Sequence, residues 1–293
     1  MGTSARDSAV PLLSIRPPRG WAAVHVRDLW DYRDLLFTLA GRDLKVRYKQ
    51  TALGVIWVVL QPFLSSVIFG ILFGVIFPAP SNGVPYFLLT YVGMLGWNLF
   101  SGVLGRSSTC LTGNAHLISK VFFPRLVLPL STVGSNLVDF LVAAAMLAIL
   151  MPLYHIAIGW GILLLPLWTL LVVMLALGVG LYSAALTVSY RDVQYVLPVI
   201  TGILMWVSPV VFTAAAIMIK IPKAWAAWGW TIYLNPLSGV LEALRWSVFN
   251  ASHPDLTFPP LWAIAYTAAF AVVSVWLGAV AFKQMERKFA DVI

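Results

Sequence analysis

Polar side chains recur at helical spacing inside long apolar stretches of this chain, and they are the first candidates for chemistry. Ser131, Ser135 and Asp139 follow one another four residues apart, which places them on one face of a helix. In such surroundings a carboxylate could contact a polar solute or carry a proton. It could also accept hydrogen bonds from neighbouring helices, and we favour this structural role because a single carboxylate without basic or acidic companions is a poor proton relay.

A second polar stripe combines Trp57, Gln61 and Ser65, and Pro62 should bend the helix that carries it. Other aromatic residues also lie inside apolar stretches. Aromatic faces suit sugar rings, although interfacial belts and packing explain most aromatic residues in apolar chains. The residues that we consider as candidates to line a channel through the protein are Trp57, Gln61, Ser65, Trp97, Phe100, Asp139, Trp206 and Phe212.

The motifs of common catalytic centres are missing from the sequence. It contains no G-x-x-x-x-G-K-[ST] phosphate loop, no H-E-x-x-H and no G-x-S-x-G, and Cys110 is its only cysteine. We therefore predict that the chain is not an enzyme and holds neither a metal nor a cofactor. Energy for any active process would come from a partner chain or an ion gradient.

The composition places these residues in a membrane. The chain is 60% hydrophobic and 10% charged, with a mean hydropathy of +0.89. A bilayer core about 30 Å thick is crossed by roughly 20 apolar helical residues. We predict an all-α integral membrane protein with six transmembrane helices, at 54–77, 85–105, 126–150, 161–182, 196–219 and 261–282.

Lys and Arg residues predict the orientation. They concentrate before the first predicted span, in the second and fourth connections and after the last span. Basic residues are retained in cytoplasmic loops, so both termini should lie in the cytoplasm. Basic segments that lie beside anionic lipid headgroups then account for the net charge of +8, so the charge does not require a nucleic-acid partner.

The segment before the first span divides into two parts. Residues 1–27 form a predicted flexible tail, and residues 28–53 form a predicted amphipathic helix on the membrane surface, followed by the membrane domain at 54–293. The apolar side of this helix consists of Leu36, Leu39, Ala40, Leu44 and Tyr48, and its polar side of Thr38, Arg42, Lys45 and Lys49. The alternative is a basic flank with no further role.

Several motifs together resemble the permease subunits of bacterial ATP-binding-cassette (ABC) exporters for polysaccharides, of the O-antigen and teichoic acid type. They extend over nearly the whole chain and keep their order relative to the spans. The motifs are RDLKVRYKQT (42–51), LGVIW (53–57), QP (61–62), LISKVFFPR (117–125), YRDV (190–193), SPV (208–210), NPL (235–237) and FADVI (289–293).

The resemblance implies roles for three groups of residues. A coupling helix that contacts the ATP-binding subunit is expected at Asn114, Leu117, Ile118, Lys120, Phe123, Pro124 and Arg125. A gate helix is expected at Arg42, Asp43, Lys45, Arg47 and Tyr48, with a loop motif at Tyr190, Arg191 and Asp192. Short outer gate helices between the fifth and sixth spans are expected to include Trp225, Trp228, Asn235, Pro236, Glu242 and Arg245.

The resemblance also implies a function and its partners. The chain would act as a homodimer in the bacterial inner membrane, with ATP and Mg²⁺ bound by two separate ATP-binding-cassette subunits. Its cargo would be a lipid-linked polysaccharide, which passes through a channel at the dimer interface. The alternatives are a permease of the same group for drugs or other small hydrophobic molecules and, less favoured, a membrane enzyme acting on lipid-linked sugars.

Overall fold

A computed structural model describes residues 26–49, 54–220 and 223–292, with side chains at 29–49, 54–219 and 227–286. This part of the chain is helical and contains no β-strand. The helices are α1 Val26–Asp31, α2 Arg33–Lys49, α3 Ile56–Ile71, α4 Tyr86–Gly113, α5 Ala115–Lys120, α6 Val127–Leu153, α7 Leu165–Ser189, α8 Val193–Val207, α9 Ala214–Lys220, α10 Pro236–Phe249 and α11 Leu261–Val292. A π-helical turn, Leu72–Ile76, extends α3, and 3₁₀ helices occupy Trp160–Leu164 and Lys223–Leu234.

Five helices in the described chain are long and apolar enough to cross a membrane, which confirms the all-α membrane class. The most buried of them is α4, which packs against α3, α6 and α7 and forms the centre of the bundle. The least buried is α3. The five segments are Ile56–Ile76, Tyr86–Gly113, Val127–Leu153, Trp160–Ser189 and Leu261–Glu286.

The predicted span at 196–219 is not one continuous helix. Helix α8 ends at Val207, a turn follows, and α9 begins at Ala214. Ser208 adopts an extended conformation because Pro209 disfavours a helical residue before it. The 15 residues of α8 rise about 22 Å, less than the about 30 Å hydrocarbon core, so the sixth span stays a prediction.

The helix predicted at 28–53 is interrupted at Tyr32, and its last described residue is Lys49, so its end at 50–53 lies outside the described residues. The predicted tail at 1–27 lies almost wholly outside them too. In α2, Leu39 and Ala40 are buried whereas Arg42 and Lys45 are exposed, as the amphipathic pattern predicts. The buried side packs against α6.

The bundle has two distinct ends. At the end that we call the α5 end, α4 finishes, α6 begins and α5 connects them. At the opposite end, called the α10 end, α3 finishes and α4 begins beside the segment that contains α10. Arg125 donates from Nη1 to the Glu286 carbonyl oxygen at 2.6 Å, which places the last part of α11 at the α5 end as well.

Candidate functional site

Asp139, the acidic residue singled out by the sequence, is the shared acceptor of a charged cluster. Its carboxylate forms an ion pair with Arg47 of α2 and accepts a hydrogen bond from the Tyr48 hydroxyl. Arg106 of α4 donates to the same carboxylate at 3.3 Å and to Ser135 Oγ at 3.4 Å. The Asp139 side chain is only 18% exposed, so the arginines compensate for its partial removal from water.

Tyr48 remains a hydrogen-bond donor in this cluster at physiological pH. Partial burial is the main cause that raises the pKa of Tyr48 to about 12, and the hydrogen bond to Asp139 raises it further. A protonated phenol can donate to the carboxylate, whereas a phenolate would repel it. The cluster therefore joins three helices through charged groups and one neutral hydroxyl.

A cavity of about 320 Å³ lies beside this cluster, between α3, α4 and α6. Three of the predicted path residues line it, namely Trp57, Gln61 and Asp139. The Trp57 ring is half exposed, as expected of a residue that faces an open space. The remaining lining residues are Arg47, Val58, Leu95, Asn98, Ser101, Gly102, Arg106, Asn136, Phe140 and Ala143.

The structure separates the other predicted path residues from this cavity. Trp97 and Phe100 are buried, and their ring centroids lie 5.7 Å apart in the hydrophobic core. Ser65 lies on α3 but is not part of the cavity wall. Of the stripe formed by Trp57, Gln61 and Ser65, only its first two members share the cavity.

Trp206 of α8 and Phe212 of the turn that follows α8 belong to an aromatic group. This group packs against the half of α3 that is nearer the α10 end, and against the π-helical turn that extends it. The Phe212 ring packs on Phe73 with centroids 4.5 Å apart, and Trp206 contacts Phe69 edge-on at 6.0 Å. Trp206 is 60% exposed, so this group presents an aromatic surface as well as a packed core. The described side chains thus form a charged cavity near the α5 end and an aromatic surface nearer the α10 end.

Arg245 of α10 is fully buried and holds the segment between α8 and α9. It pairs with Glu242 at 2.7 Å and donates to the backbone carbonyls of Leu89, Val210 and Phe212. Glu242 also accepts a bond from the Ala214 backbone N–H at 3.1 Å. A buried guanidinium is tolerated because acceptors surround it. The sequence assigned both residues to an outer gate but did not predict that they pair.

The NPL motif (235–237) of the predicted outer gate meets the SPV motif (208–210) at the start of α10. Asn235 caps the helix by accepting from the Leu237 N–H at 3.0 Å, and its Nδ2 donates to Ser208 Oγ at 2.8 Å. Pro236 occupies the first helical turn, where its missing N–H has no cost. Trp228 is exposed on the preceding 3₁₀ helix, and the Trp225 side chain lies outside the described residues.

The predicted coupling segment contains a shorter helix than expected. Helix α5 ends at Lys120, Val121 is extended, and the chain has no regular secondary structure from there to Pro124. Leu117 and Ile118 pack on the core, Lys120 is exposed, and Phe122 is 78% exposed. Phe123, named from the sequence as a docking residue, is 6% exposed and belongs to the core.

A polar contact connects this segment to α2. Arg42 donates from Nη2 to Asn114 Oδ1 at 2.8 Å and also pairs with Asp43 at 2.9 Å. Asn114 in turn donates to the Cys110 carbonyl oxygen at 2.9 Å, which fixes its amide at the end of α4. Helix α2 is therefore attached through Arg42 to residues 114–125, which contain α5 and which we call the α5 segment. It is attached to the cavity through Arg47.

The loop motif Tyr190, Arg191 and Asp192 lies between α7 and α8, and all three residues are exposed. Its position after the end of α7 places it at the α5 end of the bundle. In the described chain, no group of three or more His, Cys, Asp or Glu residues is suitable for holding a metal ion.

The charged cavity includes residues that the sequence did not single out as site residues. Arg106, Asn98 and Asn136 line it, yet each was one polar residue among many in or near apolar runs. A signal for Arg106 was present: the cation lies inside α4, seven residues before its end at Gly113, where it needs an acceptor. Which acceptor it finds depends on how α4 packs against α6.

Comparison with known proteins identifies the family to which this chain belongs. The family described as ABC-2 type transporter matches residues 34–249. The chain belongs to this ABC-2 family. The matched region begins in α2 and ends with the last residue of α10. It therefore includes the cavity, the α5 segment and the Arg245 cluster, which consists of Arg245, Glu242 and the backbone groups that they bind.

Relatives of this ABC-2 protein match it over nearly its full length. It is 29% identical to the O-antigen export system permease protein RfbA of Myxococcus xanthus, over 92% of this chain and 98% of that protein. An RfbA of Klebsiella pneumoniae is 26% identical over 89% of this chain and 95% of its own length. The polysialic acid transport protein KpsM of Escherichia coli is 26% identical, over 84% and 91% of the two chains.

Proposed function

We propose that this chain is the transmembrane subunit of an ATP-driven exporter that moves a lipid-linked polysaccharide out across the bacterial inner membrane. The observation that carries the proposal is the nearly full-length similarity to two O-antigen export permeases and a polysialic acid transport protein. The family match at 34–249 includes all the residues that line the cavity. Both termini would lie in the cytoplasm, as the distribution of basic residues predicts.

The chemistry of the cavity supports a hydroxylated cargo. Gln61, Asn98 and Ser101 supply amide and hydroxyl groups, and Trp57 supplies an exposed aromatic face. Sugars combine hydroxyl groups that exchange hydrogen bonds with apolar C–H faces that stack on aromatic rings. A second copy of the chain would complete a path, because α8 has no buried residue and α3 has only two, so both helices leave apolar surface uncovered.

The α5 segment supports the docking of an ATP-binding subunit. Phe122 and Val121 expose apolar surface at the end of the bundle, beside Lys120 and His116. Apolar side chains with a polar surround are typical of a protein interface. In this proposal the partner subunits bind ATP and Mg²⁺ and push α5 as they close.

The test is transport by the assembled complex in inverted vesicles. The chain and its ATP-binding partner are incorporated together, lipid-linked glycan is supplied outside, and glycan protected in the lumen is measured with ATP present. We expect ATP-dependent protection, lost in Phe122→Ala but kept in Phe77→Ala, which removes an exposed phenylalanine near the α10 end. Transport of a small hydrophobic dye without transport of glycan would overturn the proposal.

A further inference from the structure

An apolar groove of about 530 Å³ opens between α6 and α7, next to the charged cavity, with which it shares the wall residues Leu95 and Phe140. Leu137 and Leu141 of α6 form one wall, and Leu170 of α7 forms the other. The floor includes Leu95 of α4 and Leu244 of α10, both almost fully buried. The groove is therefore a recess in the bundle whose base is the protein core.

The lining of the groove offers nothing to a polar ligand. Thr169 is the one polar side chain among the residues that line it, and its hydroxyl already donates to the Leu165 carbonyl oxygen at 2.8 Å. Leu141 is 63% exposed and Leu170 is 54% exposed, so both flank the opening. The groove is thus continuous with the outward apolar surface of two membrane-spanning helices.

Aromatic residues mark the depth of the groove in the bilayer. Trp160, just before α7, packs on Trp246 with ring centroids 5.2 Å apart, and Trp246 packs on Phe258 at 4.9 Å. Trp160 is 65% exposed. Exposed tryptophans near the ends of spanning helices settle at the level of the lipid headgroups.

The length of the groove corresponds to one leaflet. The wall on α7 runs from Leu165 to Val173, a rise of about 12 Å, and begins directly after the aromatic group. One leaflet supplies about 15 Å of a hydrocarbon core about 30 Å thick. The groove therefore extends from the headgroup level at the α10 end towards the bilayer centre.

We propose that this groove binds an acyl chain of a bilayer glycerophospholipid from the leaflet at the α10 end. The occupant must be apolar along about 12 Å, the length of the α7 wall, and an acyl chain meets this requirement without burying a polar group. It restores the dispersion contacts that the groove lining lacks when the space is empty.

The bound acyl chain would pack against α10 and stabilise its position. The floor residue Leu244 directly precedes Arg245, which holds the segment between α8 and α9. An occupant that packs on Leu244 and Val248 therefore also stabilises the helix on which the Arg245 cluster depends. This inference does not require any particular cargo for the exporter.

The test uses a phospholipid that carries a photoreactive diazirine in its acyl chain. The full-length protein is placed in phosphatidylethanolamine and phosphatidylglycerol vesicles with this probe, irradiated and mapped by peptide mass spectrometry. We expect labelling concentrated on groove residues of α6 and α7 rather than on the exposed face of α8. Labelling spread evenly over the exposed residues of these helices would overturn the proposal without any variant.

Two adjacent alanines of α6 provide a matched pair of variants. Ala144 lines the groove whereas Ala145 is exposed outside it. Ala144→Phe should reduce groove labelling about tenfold, because the phenyl ring takes the space of about two methylene groups of the bound acyl chain. Losing the burial of these groups weakens binding by about that factor. Ala145→Phe should leave it unchanged, and equal labelling in both variants would contradict the proposal. Displacement of the probe by an equimolar polyprenyl phosphate would overturn it in favour of the carrier lipid.

Discussion

Arg47 of α2 pairs with Asp139 at the middle of α6, although 92 positions of sequence separate them. Helix α2 is therefore attached to the wall of the charged cavity and is not only a surface helix. Through Arg42 and Asn114 it also contacts the segment that contains α5. We expect a displacement of α5 to be transmitted to the cavity along α2, because both contacts lie on this one helix.

The first prediction concerns the charge of Asp139. Asp139→Ala leaves Arg47 and Arg106 partly buried without their shared carboxylate, and we expect a loss of about 2 kcal/mol in stability, between the values for exposed and fully buried pairs. Export should fall as well. The measurements are thermal unfolding of the purified protein and surface glycan in complemented cells.

Asp43 provides the control for Asp139. It pairs with the exposed Arg42, so Asp43→Ala should cost less than about 1 kcal/mol. The double variant Arg47→Ala with Asp139→Ala should lose less stability than the sum of the two single variants, because both substitutions remove the same pair. Additive losses would show that the contact between α2 and α6 does not depend on this pair.

The second prediction separates two tryptophans that the sequence placed in the same class. Trp57 is 52% exposed beside the cavity, so Trp57→Ala should slow export with little change in thermal stability. Trp97 is 6% exposed and packed on Phe100, so Trp97→Ala should cost about 3 kcal/mol. Export rate and unfolding temperature are measured for both. Equal losses of stability in the two variants would contradict these positions.

The third prediction concerns the buried pair in α10. Arg245→Met leaves the Glu242 carboxylate buried without a cation and three carbonyls without their donor, at a cost of about 3–5 kcal/mol. Glu242→Gln keeps an acceptor for Arg245 and for the Ala214 N–H, so its cost should be smaller. The yield of folded protein in membranes is compared. A milder effect of Arg245→Met would rule out the proposed anchoring role.

The fourth prediction uses two glycines of α4. A Cβ on Gly93 would meet the Val210 carbonyl group and the Arg245 guanidinium, whereas a Cβ on Gly105 would meet nothing within 4 Å. Gly93→Ala should therefore cost about 1–3 kcal/mol through overpacking, and Gly105→Ala should be neutral or stabilising by up to about 1 kcal/mol. Thermal unfolding of the two variants distinguishes them. A neutral Gly93→Ala would mean that the segment at Val210 packs less closely.

The sequence predicted the helical membrane class because lipid imposes a length and a polarity on every spanning helix. The amphipathic side of α2 was also predictable, since Leu36, Leu39 and Ala40 lie at i, i+3 and i+4 on one face, and Leu39 and Ala40 are both buried. The end of α8 at Val207 was missed because the apolar run continues past it. Pro209 was the signal, as a proline disfavours helix at the residue before it.

The composition of the candidate site was less predictable. The pairing of Asp139 with Arg47 and Arg106 depends on the packing of α2, α4 and α6, which local patterns do not encode. The same reason explains Phe122 and Phe123: hydrophobicity does not distinguish the exposed ring from the buried one. Trp97 and Trp57 likewise share a residue type, and only tertiary packing separates them.

The most direct test of the account is the location of lipid-linked glycan in cells after deletion of the gene. We expect glycan inside the cell and a bare surface, both reversed by the intact chain and not by Asp139→Ala. An unchanged amount of glycan at the surface of the deletion strain would contradict it.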